Sequence, residues 1–302
     1  MNPSIQIESL SDSSIRFRLR NVSLAYANAL RRIMISEVPT MAIEFVTIRE
    51  NTTPLHDEFL AHRLGMIPLH SNTVENFNYP AECACQDNSN VCPVCSVKYT
   101  LKVKNLGDAI MDVTTAHLKL EASTDTQRAV KPVKYSFVKN SEIVEREILI
   151  MKLGKNQELD LDCVAKKGQG KQHAKWSPVC VTAFKFEPRI SLNQVKMLDM
   201  NIAQKNAFVN CCPRKVYSLN DKNKAIEVTR PEECVFCGEC EKIQRDLNIE
   251  DLVKIEDGDF IFEVETTGAL KPDEILDSAF DQLHRKLENL KEALNGINIS
   301  VR

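Results

Sequence analysis

Glycine is scarce in this chain, nine residues in 302. No glycine-rich nucleotide loop, nucleophile elbow, zinc-hydrolase helix or acidic magnesium triplet appears. The nearest approach is Lys166-Lys167-Gly168-Gln169-Gly170-Lys171. It has Ala165 where a phosphate loop needs glycine and Gln172 where it needs a hydroxyl, so it reads as a flexible basic loop. A positive surplus is missing too: 39 basic residues face 42 acidic ones, a formal net charge of -3, which does not advertise nucleic acid. No apolar run approaches the length of a bilayer span, and Met1-Asn2-Pro3-Ser4-Ile5 carries no basic segment ahead of an apolar core. His62, beside Arg63, is the best lone catalytic candidate, and no serine or cysteine is identifiable as its mate. These absences exclude a stand-alone enzyme and a membrane-spanning chain. The expectation is a soluble intracellular protein whose partners are proteins.

What is present is patterned. The length suggests about two domains at roughly 150 residues each. Ile15, Phe17 and Leu19 alternate with Arg16, Arg18 and Arg20 after Ile5-Gln6-Ile7-Glu8 and Ser11-Asp12-Ser13, which predicts a hairpin with one wet face. Ser23 is placed to cap a helix from Leu24 to Glu37, which Pro39 stops. Tyr26, Ala27, Ala29, Leu30, Ile33, Met34 and Ile35 exceed a single stripe, so the helix is either an ordinary core helix or one needing cover on two faces. Met41 to Arg49, Tyr99 to Val103, Val133 to Val138, Glu147 to Leu153 and Val179 to Phe184 read as strands. Asp257-Gly258 predicts a hairpin turn ahead of Phe260, Phe262 and Val264, which share one face against Ile261, Glu263 and Glu265. Pro272 to Gly296 reads as a helix. Its Leu276, Phe280, Leu283, Leu287, Leu290 and Leu294 alternate spacings of four and three, a seam for a second helix. The seam is narrow and flanked by Arg285, Lys286, Glu288 and Lys291, which favours another chain over packing on its own domain.

Seven of the eleven cysteines fall in two clusters, a pattern that favours metal ligation over a disulfide framework. Cys83, Cys85, Cys92 and Cys95 place four thiols within thirteen residues. Thiolates at that spacing close a tetrahedron around zinc at about 2.3 Å and leave no open position for water, so the site is structural. The intervening Asp87-Asn88-Ser89-Asn90 cannot bury enough apolar area to fold unaided, and metal would order it. A redox dithiol at Cys92-Pro93-Val94-Cys95 lacks a following apolar helix, and disulfides need an oxidising compartment. The second cluster, Cys234, Cys237 and Cys240 with Cys211-Cys212-Pro213 upstream, is similar to part of a ferredoxin run. Gln244-Arg245 stand where its closing Cys-Pro belongs. Reduced free thiols are the favoured reading here, with a free-standing iron–sulfur or redox protein as the alternative function.

The stretch Leu24 to Leu69 resembles the α-motif of RNA polymerase α-like subunits. It carries Asn28-Ala29-Leu30-Arg31-Arg32 on a helix, Val38-Pro39 after it, and Asp57-Glu58-Phe59-Leu60-Ala61-His62-Arg63-Leu64-Gly65-Met66-Ile67-Pro68-Leu69 one strand later. The likeness extends over nearly the whole chain, and the four-cysteine loop is similar to that of the third-largest-subunit branch from eukaryotic nuclear polymerase II. The resemblance implies an α+β fold of two parts. A discontinuous dimerisation domain, a sheet plus two long helices, would comprise 1–45 and 174–302; a mostly-β zinc-bearing insertion would comprise 46–173. The second part of the dimerisation domain would include the cysteine remnant 211–240 and the heptad helix 272–295. It further implies a nuclear assembly subunit that pairs with a smaller α-like subunit and carries the two large catalytic subunits and other core subunits. Tyr26, Ala29, Leu30, Arg31, Arg32 and Ile33 with Leu276, Phe280, Leu283, Leu287, Leu290 and Leu294 would form the partner interface. Promoter-DNA contact of the bacterial C-terminal type is not implied.

Overall fold

The computed structural model describes residues 2–85, 92–121, 124–139, 142–220, 224–249 and 251–296. The predicted hairpin opens it as β1 (Ser4–Leu10) and β2 (Ser14–Arg20). In the turn, the Ser11 hydroxyl accepts from the Ser13 and Ser14 amides at 3.3 and 3.0 Å. β2 buries Ile15, Phe17 and Leu19, as strand periodicity requires. α1 (Leu24–Ser36) begins where the Ser23 hydroxyl accepts from the Tyr26 amide at 3.2 Å, satisfying one orphan donor. Pro39 opens β3 (Pro39–Asn51), and α2 (Asp57–Gly65) follows with Asp57 and Glu58 at its positive end.

Short elements then alternate: β4 (Ser96–Lys104), β5 (Met111–Thr114), β6 (Lys119–Glu121) and α3 (Asp125–Ala129). Next come β7 (Tyr135–Lys139), β8 (Glu142–Arg146), β9 (Leu149–Leu153) and β10 (Glu158–Gln169). The chain continues with β11 (Val179–Leu192), α4 (Gln194–Leu198), α5 (Ile202–Cys211), β12 (Tyr217–Leu219) and β13 (Ile226–Val228). α6 (Glu239–Asp246), β14 (Val253–Thr266) and α7 (Pro272–Gly296) complete it. The class is α+β, as expected. Two four-stranded sheets run in the orders β1-β2-β14-β11 and β3-β10-β4-β6, with two-stranded ribbons β12-β13, β5-β9 and β7-β8.

Two compact units divide the chain. One comprises Met1–Glu8, Arg16–Ala27 and Ala183–Phe262; the other comprises Ser9–Ile15, Asn28–Thr182 and Glu263–Arg302. In the first, Phe17 stacks on Phe262 with centroids 4.9 Å apart and Phe184 sets its edge to Phe260 at 5.4 Å. A separate cluster gathers Met197, Met200, Phe208, Tyr217 and Cys240 under α5 and α6. In the second, β10 is the central strand, antiparallel to both β3 and β4, and Leu159, Leu161, Cys163 and Ala165 point into a core shared with Met41, Ile43, Leu60, Leu64 and Tyr99.

Three sequence expectations are corrected. Asp257-Gly258 makes no hairpin, because β14 runs straight through it. The glycine answers a different need: a Cβ on Gly258 would stand 2.0 Å from the Glu187 carbonyl oxygen, so it permits close approach of a neighbouring backbone. Ile261, placed by alternation on the wet face, is buried like Phe260 and Phe262. Lys166 to Gln169, read as a flexible loop, is the end of β10, with Gly168 lying under the Trp176 ring, 2.3 Å from where a Cβ would be.

Candidate metal centre and assembly surfaces

The turn that launches β4 fixes half of the thiol cluster. The Cys92 carbonyl accepts from the Cys95 and Ser96 amides at 3.2 and 2.8 Å. The buried Ser96 hydroxyl donates to that carbonyl at 2.9 Å and accepts from the Cys92 amide at 2.6 Å. Gln127 reaches across to donate to the Ser96 carbonyl at 2.8 Å. Cys83 and Cys85 arrive from the other side after the Tyr79–Glu82 turn, and residues 86–91 between the pairs lie outside the described residues. The four sulfurs lie within 4.8 Å of one another, with Cys83–Cys92 at 3.9 Å and Cys85–Cys95 at 3.5 Å. A tetrahedron with metal–sulfur bonds of about 2.3 Å has edges of about 3.8 Å. A disulfide, by contrast, would need about 2.05 Å.

The electrostatics agree with that geometry. The Val94 backbone amide, donating to the Cys92 sulfur, brings its thiol down to about 7. Burial pushes Cys95 up, and the Cys83 thiol beside it raises Cys85. Four thiolates in this volume repel one another, so without a cation some stay protonated. The donor set therefore fits a metal that prefers sulfur in a closed tetrahedral shell. Ser96 and Gln127, which orient the ligands, were not foreseen; the only sequence signal was a serine directly after the second Cys-x-x-Cys thiol.

The second cysteine cluster differs. Cys212, Cys234, Cys237 and Cys240 line one small, largely apolar pocket with Val216 and Tyr217. Burial pushes Cys211 up to about 12 and raises Cys234 and Cys240. Among the described residues, Cys83, Cys85, Cys92 and Cys95 are the one group of metal-ligating atoms that converges within 4.8 Å. The iron–sulfur alternative has no support.

The predicted interface residues fall into two classes. On α1, Leu30 and Ile33 are closed off within the chain, at 0 and 3% exposure, so they offer no surface of their own. Tyr26, Ala29 and Arg31 are half-buried and Arg32 is exposed. The Arg31 guanidinium is braced on the Asn28 side-chain oxygen at 3.2 and 3.0 Å. On α7, Leu276 is buried, Phe280 and Leu283 are half-buried, and Leu287, Leu290 and Leu294 stand 55, 57 and 52% exposed. The charged flanks partly serve this chain: Lys286 pairs with Glu37 at 2.8 Å and Arg285 lies 3.7 Å from Glu75.

A closed thiol cage and a long helix with an uncovered leucine row are features of a protein that assembles with others. Residues 16–287 match the RNA polymerase Rpb3/Rpb11 dimerisation domain, and the chain belongs to that family. It is 42% identical to the DNA-directed RNA polymerase II subunit rpb3 of Dictyostelium discoideum over 96% of this chain and 94% of the relative. A conjugation stage-specific protein of Tetrahymena thermophila is 38% identical, with 96 and 94% covered. Subunit 3 of DNA-directed RNA polymerases II, IV and V of Arabidopsis thaliana is 37% identical, with 96 and 90% covered. Among the described residues no helix is long and apolar enough to cross a membrane.

Proposed function

We propose that this chain is a non-catalytic assembly subunit of nuclear RNA polymerase II, part of the nucleotidyltransferase without supplying its chemistry. The likeness to the Dictyostelium subunit along 96% of the chain carries this reading. It would heterodimerise with a smaller α-like subunit, and the pair would carry the two large catalytic subunits during mRNA synthesis. The exposed Leu287, Leu290 and Leu294 on α7 support that partner surface. On α1 the contact would fall to Tyr26, Ala29, Arg31 and Arg32, with Leu30 and Ile33 as packing beneath them. Segments 1–45 and 174–302 would make the dimerisation domain, and 46–173 the insertion. One zinc ion would sit on Cys83, Cys85, Cys92 and Cys95, closing the shell and holding the insertion's loop to β4.

The test is co-expression. The chain alone should aggregate, and with the smaller α-like subunit of the same organism it should elute as one monodisperse heterodimer containing one zinc. A chain that stays monomeric and soluble alone at micromolar concentration, and ignores that subunit, would overturn the proposal.

A further inference from the structure

β3 and β10 pair with a slip: Val164 faces Phe45 but Ala165 faces Ile43, leaving Glu44 as an extra residue. Glu44 and Phe45, neighbours in sequence, are therefore both exposed, where a regular strand would turn one of them inward. Beside this bulge, the Tyr79-Pro80-Ala81 segment and the end of β10 enclose a depression of about 960 Å³, counted out to its open mouth. Three lysines line it, each ammonium over a ring: Lys166 over Phe45 at 4.9 Å, Lys167 over Tyr79 at 4.8 Å and Lys175 over Trp176 at 4.4 Å. Two of these charges are already answered. Lys175 pairs with Glu44, and the buried Lys167 donates to the Phe77 carbonyl at 3.1 Å with Glu75 at 3.8 Å. Lys166 makes no ion pair among the described residues.

We propose that this pocket docks an extended segment of a partner polypeptide that carries a single carboxylate beside an apolar side chain, the carboxylate on Lys166 and the apolar group against Phe45. The inference goes beyond the assembly reading and does not require it. A single unanswered cation beside an exposed aromatic wall matches one carboxylate next to one apolar group. A nucleic-acid strand suits the pocket less, because it brings a charge about every 3.4 Å and would meet the Glu44, Glu75 and Glu82 carboxylates around the lysines.

The full chain, with the subunits that copurify, would be titrated with a fluorescent peptide of about ten otherwise uncharged residues, carrying one aspartate next to one central phenylalanine. Binding should weaken as salt rises, and Lys166→Gln and Phe45→Ala should each weaken it about tenfold, with metal content and circular dichroism unchanged. A Phe-free aspartate peptide should also bind more weakly. Equal affinity in the Lys166→Gln chain, or tighter binding of an oligothymidylate of matched charge, would overturn the proposal. If Lys166→Gln loses its fold signal, Lys166→Arg supplies the second reading: it keeps the charge and should keep the peptide, and loss of binding there would also overturn it.

Discussion

Cys92 has a thiol brought down by the Val94 amide and is the residue whose amide and carbonyl the Ser96 hydroxyl clamps. With the proposed zinc in the cage, Cys92→Ser should drop it to a small fraction of its parent occupancy and raise protease cleavage between residues 83 and 95, leaving the far-UV spectrum nearly unchanged. Full zinc occupancy in the variant, measured by metal analysis, would refute this. Arg49 governs a different charge centre, with its guanidinium on Asp160 at 2.8 Å and on Asp162 at 2.6 and 3.0 Å. Lys102 and then Arg49 hold the Asp160 carboxyl below its ordinary value, and Arg49 does the same for Asp162. A carboxyl lowered in the fold stabilises it above the unfolded value of about 3.9, and that contribution is lost as pH falls through the lowered folded value. While Lys102 still lowers Asp160, Arg49→Ala brings the folded and unfolded values closer, most for Asp162. Its melting temperature should be lower at neutral pH, and the fall on acidification below about pH 4 should be smaller than in the parent; equal falls in the two proteins would contradict this.

Elements were read most reliably where propensity, capping and packing agree. The Ser23 cap, the Pro39 stop and the buried trio Ile15, Phe17 and Leu19 were all legible because each depends on neighbours in sequence. The four cage thiols were legible for the same reason, since each pair is set by close spacing in sequence. What was not legible depends on distant backbone. Gly258 looked like a turn because glycine after aspartate usually marks one, yet the carbonyl it accommodates belongs to Glu187 in another strand. Lys166 and Lys167 looked like loop because they are charged; in fact one lies on an aromatic ring and the other is buried against a carbonyl. Gly258→Ala should destabilise the chain by about 1–3 kcal/mol, since strand and neighbour must separate to admit the methyl. The urea midpoint measures it, and an unshifted midpoint would show that the approach is looser than 2.0 Å implies.

At the scale of the molecule, α7 divides its labour along its length. Ile275, Leu276 and Ala279 are buried in this chain, whereas Leu287, Leu290 and Leu294 are uncovered. A fully buried leucine contributes about 1.5–3 kcal/mol relative to an exposed one, so covering the still exposed half of these three would add stability to the contact proposed above. If the proposed heterodimer forms through this row, the double change Leu287→Asp with Leu290→Asp should leave the chain's own melting temperature nearly unchanged, since the buried half of α7 is untouched, while abolishing recovery of the smaller subunit in affinity purification. Undiminished recovery would place the contact elsewhere.

β3 carries two extra residues against β10, Glu44 at one slip and Arg49 at the other. Core-facing positions therefore run Met41 and Ile43, then Val46 and Ile48, and after the second slip Asn51 returns to the original phase opposite Leu159. Each extra residue is absorbed where it stands, so the pairing beyond it keeps the same face toward the core. Losing Glu44 or Arg49 alone would leave a plainer strand with Val46, Ile48 and Asn51 still opposite their β10 neighbours, so this segment can shorten by one residue at either place without turning a core side chain outward.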